Sequence, residues 1–149
     1  MKHNPVLQFL LAVPLFASLT LGAPATKIEV FKTRTCGCCA KWVEHLKANG
    51  FDVTVQEVAS TVDARKKYGV PDKLLSCHTA SVGGYSVEGH VPARDIQRLL
   101  KTHPKAKGLA APGMPAGSPG MEGDRVDAYS VLLFQEDGST SEFQKYPGK

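Results

Sequence analysis

Three cysteines stand within four residues, Cys36, Cys38 and Cys39, at the point where a strand-like segment gives way to a helical one. Lys27–Thr33 (KIEVFKT) is β-branched and aromatic, as a strand requires. From Cys39 to Asn49 the apolar residues Trp42, Val43 and Leu46 share one helical face, and Gly50 is placed to stop the helix. The cysteines therefore open the first helix. Unpaired N–H groups and the helix dipole at that end favour a thiolate. Any fold for this chain must deliver a strand straight into a helix N-terminus that carries sulfur.

The remaining signals extend this into an ordered α/β pattern. Phe51–Val58 (FDVTVQEV) alternates apolar and polar residues as a second strand does, and Thr61–Tyr68 reads as a helix ending at Gly69. Thr79–Val82 and Tyr85–Val87 flank Gly83-Gly84, a hairpin signal. Pro92 opens a helix through Thr102 with Ile96, Leu99 and Leu100 on its apolar face. The predicted order is β-α-β-α-β-β-α. Lys105–Gly123 then lacks a hydrophobic period and is rich in Gly, Pro and Ala, so it is expected to be a long loop. Val126–Gln135 and Thr140–Tyr146 close the chain as a hairpin around Glu136-Asp137-Gly138-Ser139.

The compartment follows from the N-terminus. Between Lys2 and Lys27 there is no Lys, Arg, Asp or Glu; Val6–Leu21 is apolar, and Ala23-Pro24-Ala25 supplies small residues. This is the pattern of a cleaved secretory signal peptide over residues 1–25. The run is short for a membrane span and is broken by Pro14, so no anchor is expected after processing. Export matters because disulfides persist there and unprotected thiols are hazardous. The net charge of +4, with no long basic block, gives nucleic-acid binding no support.

The C-x-x-C spacing makes Cys36 the more exposed, nucleophilic sulfur and Cys39 the buried one at the head of the apolar stripe. Cys38 is surplus to a redox pair, and a vicinal Cys38–Cys39 disulfide would strain its peptide. Three converging soft sulfurs suit Cu(I), Zn(II) or an iron–sulfur cluster. The bland alternative is one disulfide beside two inert thiols; export weighs against it. Cys77, just before the third strand, falls beside the first helix N-terminus in a sheet of this order, and is either a further ligand or a small core residue. His78 is either a ligand or turned outward. His90, in the turn Glu88-Gly89-His90-Val91-Pro92, is equally a ligand or a surface residue. His45 and His103 read as structural or solvated. Met114 and Met121 both lie in the Gly/Pro loop rather than in a core element, and a thioether favours soft metal.

Cys36-Gly37-Cys38-Cys39, Ser76-Cys77-His78-Thr79-Ala80, Glu88-Gly89-His90-Val91-Pro92, and Gly113-Met114-Pro115 through Gly117-Ser118-Pro119-Gly120-Met121 together closely resemble CopG, a family of exported copper-resistance proteins of Gram-negative bacteria. The element order likewise resembles the thioredoxin fold. The resemblance implies a thioredoxin-like domain over 26–104 and a C-terminal extension, 105–149, that contributes a metal-site loop and a β-hairpin. It implies copper held by Cys36, Cys38, Cys39 and Cys77 in a thiolate-bridged, multinuclear site, with His90, Met114 and Met121 matching the other motifs. Cys36 and Cys39 would carry redox chemistry between Cu(I) and Cu(II), in a monomeric periplasmic protein serving copper efflux components or a redox partner. A copper chaperone or buffer without turnover, a thiol–disulfide oxidoreductase and a zinc protein are the rivals. In ordinary thioredoxins a cis-proline precedes the third strand; here Cys77-His78-Thr79 stands there, which disfavours general disulfide exchange and favours copper.

Overall fold

The computed structural model describes residues 24–149, so the leader expected over residues 1–25 lies outside it but for its last two residues. Seven strands and three helices follow: β1 (Thr26–Thr33), α1 (Gly37–Ala48), β2 (Phe51–Val58), α2 (Val62–Lys67), β3 (His78–Val82), β4 (Tyr85–Gly89), α3 (Ala93–Thr102), β5 (Gly108–Ala111), β6 (Tyr129–Phe134) and β7 (Thr140–Tyr146). A 3-10 turn, Asp72–Leu74, joins α2 to β3. All strands form one mixed sheet in the order β2-β1-β3-β4-β5-β6-β7. β1 runs parallel to β2 and antiparallel to β3, and β4 runs antiparallel to β3 and parallel to β5. β6 and β7 complete an antiparallel end. Among the described residues, no helix is long and apolar enough to cross a membrane.

The α/β character and the predicted elements through α3 are present, with ends shifted by a residue or two. The departure is β5, which lies inside the segment expected to be loop. Its sequence, Gly-Leu-Ala-Ala, has no β-branched or aromatic residue, so its strand character comes from its setting. Leu109 joins the main core, whereas Ala110 packs with Val70, Leu74 and Phe134 in a second cluster. Adjacent strand residues point to opposite faces, so β5 is covered on both sides. Gly108 is required by close approach: a Cβ there would collide with the Ser86 carbonyl.

The main core joins Trp42, Val43 and Leu46 of α1 to Ile96 and Leu99 of α3 across Ile28, Val30, Ala80, Val87 and Val131 of the sheet. Burying each of the larger side chains contributes about 1.5–3 kcal/mol. This packing fixes α1 so that its first turn meets the start of β3 and the turn after β4.

Candidate metal centre

Cys36 is the N-cap residue of α1, and no side-chain hydrogen bond caps that helix. Cys36 and Cys39 are joined by a disulfide, with Cα atoms 5.4 Å apart. Cys38 and Cys77 are free thiols. The pairing set aside on the sequence, one disulfide beside two thiols, is therefore the covalent state here. The thiols are not isolated: Cys38 Sγ lies 3.5 Å from Cys36 Sγ and 4.0 Å from Cys77 Sγ. Cys39 is fully buried and its sulfur is 3.8 Å from the Cys77 carbonyl oxygen. All four sulfurs lie within 4.8 Å of one another.

A second group overlaps the first through Cys77. Its sulfur is 3.0 Å from His90 Nε2 and 3.3 Å from His78 Nδ1. Both histidines are buried, so His78 is not turned outward and His90 is not a surface residue. The reason is packing: the His78 ring lies 4.3 Å from the Trp42 ring, and the two imidazoles meet edge to face at 5.0 Å. His90 Nδ1 is 2.8 Å from the Pro119 carbonyl oxygen. A carbonyl only accepts, so Nδ1 carries the proton and Nε2 presents its lone pair toward Cys77. An outer partner of this kind is what orients a metal-binding histidine.

Electrostatics favour neutral nitrogen donors and a protonated resting thiol. Burial, aided by His90, lowers the His78 pKa to about 3. Burial also lowers His90, opposed by the Pro119 carbonyl and Glu122. Burial, with Cys38 beside it, pushes the Cys77 thiol up to about 12. A cation that displaces that proton supplies the charge the site lacks. His78 Nε2 is buried without a hydrogen-bond partner. Soft sulfurs beside neutral imidazoles form a donor set that suits copper.

Glu88 escaped the sequence reading. It is fully buried in β4 and accepts from the Ser76 N–H at 2.7 Å and from Thr79 Oγ1 at 2.6 Å. One carboxylate therefore clamps both ends of Cys77-His78. Arg65 of α2 stands 3.4 Å away, and burial raises the Glu88 pKa against the opposing effect of Thr79, Ser76 and Arg65. A charged residue in an alternating hairpin strand is ordinarily solvent-facing; the nearest signal was its position two residues before His90.

The Gly/Pro segment does fold over the site, largely through its backbone. Ser76 Oγ donates to the Gly113 carbonyl, and Pro119 accepts from His90. Gly120, at φ +87°, is in such close contact with α1 that a Cβ would lie 2.6 Å from the Cys38 carbonyl oxygen and 2.9 Å from the Trp42 nitrogen. Met121 follows it, half-buried, and Met114 is 54% exposed beside Gly113. His45 is structural: its Nε2 accepts from the Ala93 N–H at 3.1 Å. His103 is exposed at the end of α3.

Known proteins bear on this geometry. A family model described as "Protein of unknown function, DUF411" matches residues 74–121, the stretch holding Cys77, His90 and both methionines. No curated protein matches the chain. Two solved structures, described as copper resistance protein CopG in Form 1 and Form 2, are each 46% identical to it. Each alignment covers 83% of this chain and 99% of the other, with TM-scores of 0.79 and 0.78. At that identity, over nearly the whole of the solved chains, the chain belongs to the CopG family of copper-resistance proteins.

Proposed function

We propose that this protein is a periplasmic copper-binding oxidoreductase that takes copper as its substrate and interconverts Cu(I) and Cu(II). The observation that carries the reading is the single cluster of four cysteine sulfurs with His90 Nε2 oriented into it by Pro119. In the reduced protein Cys36, Cys38, Cys39 and Cys77 hold copper as thiolates, in a multinuclear site because sulfur can bridge. His90 adds a nitrogen donor, and Met114 and Met121 close the site from the loop. Cys36 and Cys39 carry the redox chemistry. The fold supporting this is thioredoxin-like over residues 26–104, with 105–149 as the extension that supplies the loop and hairpin. The leader over residues 1–25 directs export, and the processed protein works as a monomer with copper efflux components or a redox partner.

Anaerobic metal analysis of the reduced protein tests the reading. Copper is expected to bind with the cysteines in thiolate form, and Cys36→Ser combined with Cys38→Ser is expected to lose most of it. Full copper loading of that double variant refutes the ligand assignment. A second reading, thiol–disulfide exchange, draws support from the Cys36–Cys39 disulfide at the α1 N-terminus. It predicts metal-independent reduction of a protein disulfide that survives in Cys77→Ala.

A further inference from the structure

The sulfurs divide into two pairs with different chemistry. Cys36 and Cys39 form the disulfide, whereas Cys38 and Cys77 remain thiols. A disulfide sulfur is no longer a thiolate, so a four-thiolate site cannot coexist with this covalent state. What survives is still a donor set: Cys38 Sγ, Cys77 Sγ and His90 Nε2, linked by separations of 4.0 and 3.0 Å, with His78 Nδ1 3.3 Å from the central sulfur. Two soft sulfurs with imidazole suit Cu(I). The α1 helix is complete with the disulfide in place, so oxidising the pair does not require that element to unfold. The two sets also touch, since Cys38 Sγ lies 3.5 Å from Cys36 Sγ.

Resting on the copper reading above, we propose that the protein is a Cu(II) reductase in which the Cys36–Cys39 dithiol is the electron donor and Cys38, Cys77 and His90 retain the Cu(I) product. Two Cu(II) ions each accept one electron. The Cys36 and Cys39 thiols give up two electrons and two protons, and the S–S bond forms between them. The balance is two Cu(II) and one dithiol converted to two Cu(I), one disulfide and two protons. The soft donors left after oxidation stabilise Cu(I) and so favour this direction. One Cu(I) stays in the surviving set and the other leaves to an acceptor. Turnover needs an external dithiol. Its thiolate attacks the half-buried Cys36 sulfur, Cys39 departs as thiolate, and the second thiol of the donor resolves the mixed disulfide.

The test mixes the fully reduced full chain anaerobically with a Cu(II) salt and a Cu(I)-specific chelator. Free thiols are then alkylated, the disulfide is reduced, and the newly freed thiols are alkylated with a heavy label, so that fragment masses locate it. The expected result is two Cu(I) formed and two thiols lost per chain, with the heavy label on Cys36 and Cys39 alone. The isolated disulfide form is expected to bind one Cu(I), and its Cys77→Ser variant none. Cys36→Ser is expected to slow Cu(II) reduction by about tenfold or more, the loss of one well-placed redox group, while still binding Cu(I). A Cys38–Cys77 bond, an intermolecular bond, Cu(I) formed without thiol loss, or a disulfide form that binds no Cu(I) overturns the proposal. If the reduced protein also fails to bind Cu(I), the copper reading itself has failed; if only the disulfide form fails, the division of labour alone is wrong.

Discussion

Glu88→Gln isolates the charge of the buried clamp behind Cys77, because glutamine keeps the volume and one acceptor oxygen. In the native protein the carboxylate accepts at 2.7 Å from the Ser76 N–H and at 2.6 Å from the Thr79 hydroxyl. Hydrogen bonds to an ionised group contribute about 1.5–3 kcal/mol each and neutral ones about 0.5–1.5, so the two together lose about 2 kcal/mol. Arg65 also loses its counter-charge. Breaking a fully buried ion pair costs about 3–5 kcal/mol. Arg65 Nε is itself buried, but at 3.4 Å it stands beyond the reach of a close charge-assisted hydrogen bond, so its loss adds about 1 kcal/mol here. The expected destabilisation is about 3 kcal/mol, read as a lower urea midpoint with an unchanged slope. The clamp also predicts a local effect. With the Ser76–Thr79 segment loosened, even about 1.4 kcal/mol off its opening free energy makes Cys77 alkylation about tenfold faster. A Glu88→Gln protein within about 0.5 kcal/mol of the parent, with unchanged Cys77 alkylation, refutes the clamp.

Three further outcomes follow from the same geometry. His78, with its pKa near 3 against an ordinary 6.5, stays neutral in the fold while the unfolded chain takes up a proton, so acid favours unfolding. Metal-free stability should fall as pH drops from 6.5 toward 3, by about 1.4 kcal/mol per unit from His78, with His90 adding in the same sense; urea titrations on His78→Phe should show a shallower slope, and an unchanged slope contradicts the assignment. Gly120→Ala places a Cβ against two backbone atoms at a φ of +87°, so it should cost about 2–4 kcal/mol and release His90 from Pro119; an imidazole nitrogen NMR spectrum identical to the parent counts against it. Trp42 is the one tryptophan, and its ring is 4.3 Å from that of His78; Cu(I) added anaerobically to the disulfide form should change its fluorescence, whereas an equal change in Cys77→Ser places the ion elsewhere.

The parts of this site that were legible share a property: their signal is local. A strand, a C-x-x-C and an amphipathic helix lie within Lys27–Asn49, and a short junction leaves the chain little choice about where those sulfurs go. Cys77 was legible one step further, because the order of elements places the start of β3 next to β1, as the pairing of Lys32 with His78 bears out. Glu88 and β5 were not, and for one reason. Glu88 sits opposite Ala110 of β5, and only with β5 paired is β4 an interior strand whose polar residue is shut away from water. β5 in turn reads as loop, since Gly-Leu-Ala-Ala acquires its strand character from β4 and β6 rather than from its own side chains.

The same dependence explains the Gly/Pro segment. Its contacts with the residues around the site run through the carbonyls of Gly113 and Pro119 and the bare Cα of Gly120. Backbone groups leave no hydrophobic period in a sequence; they leave glycine, where a side chain would be in the way. β5 carries the chain from the far side of β4 to Gly113, beside Ser76, and the segment then runs back over α1. Thus a strand without strand-like residues delivers a loop without core-like residues to the cysteines. Loss of the β5 pairing would therefore be felt at His90 as well as in the sheet, because β5 leads into the segment whose Pro119 carbonyl orients His90.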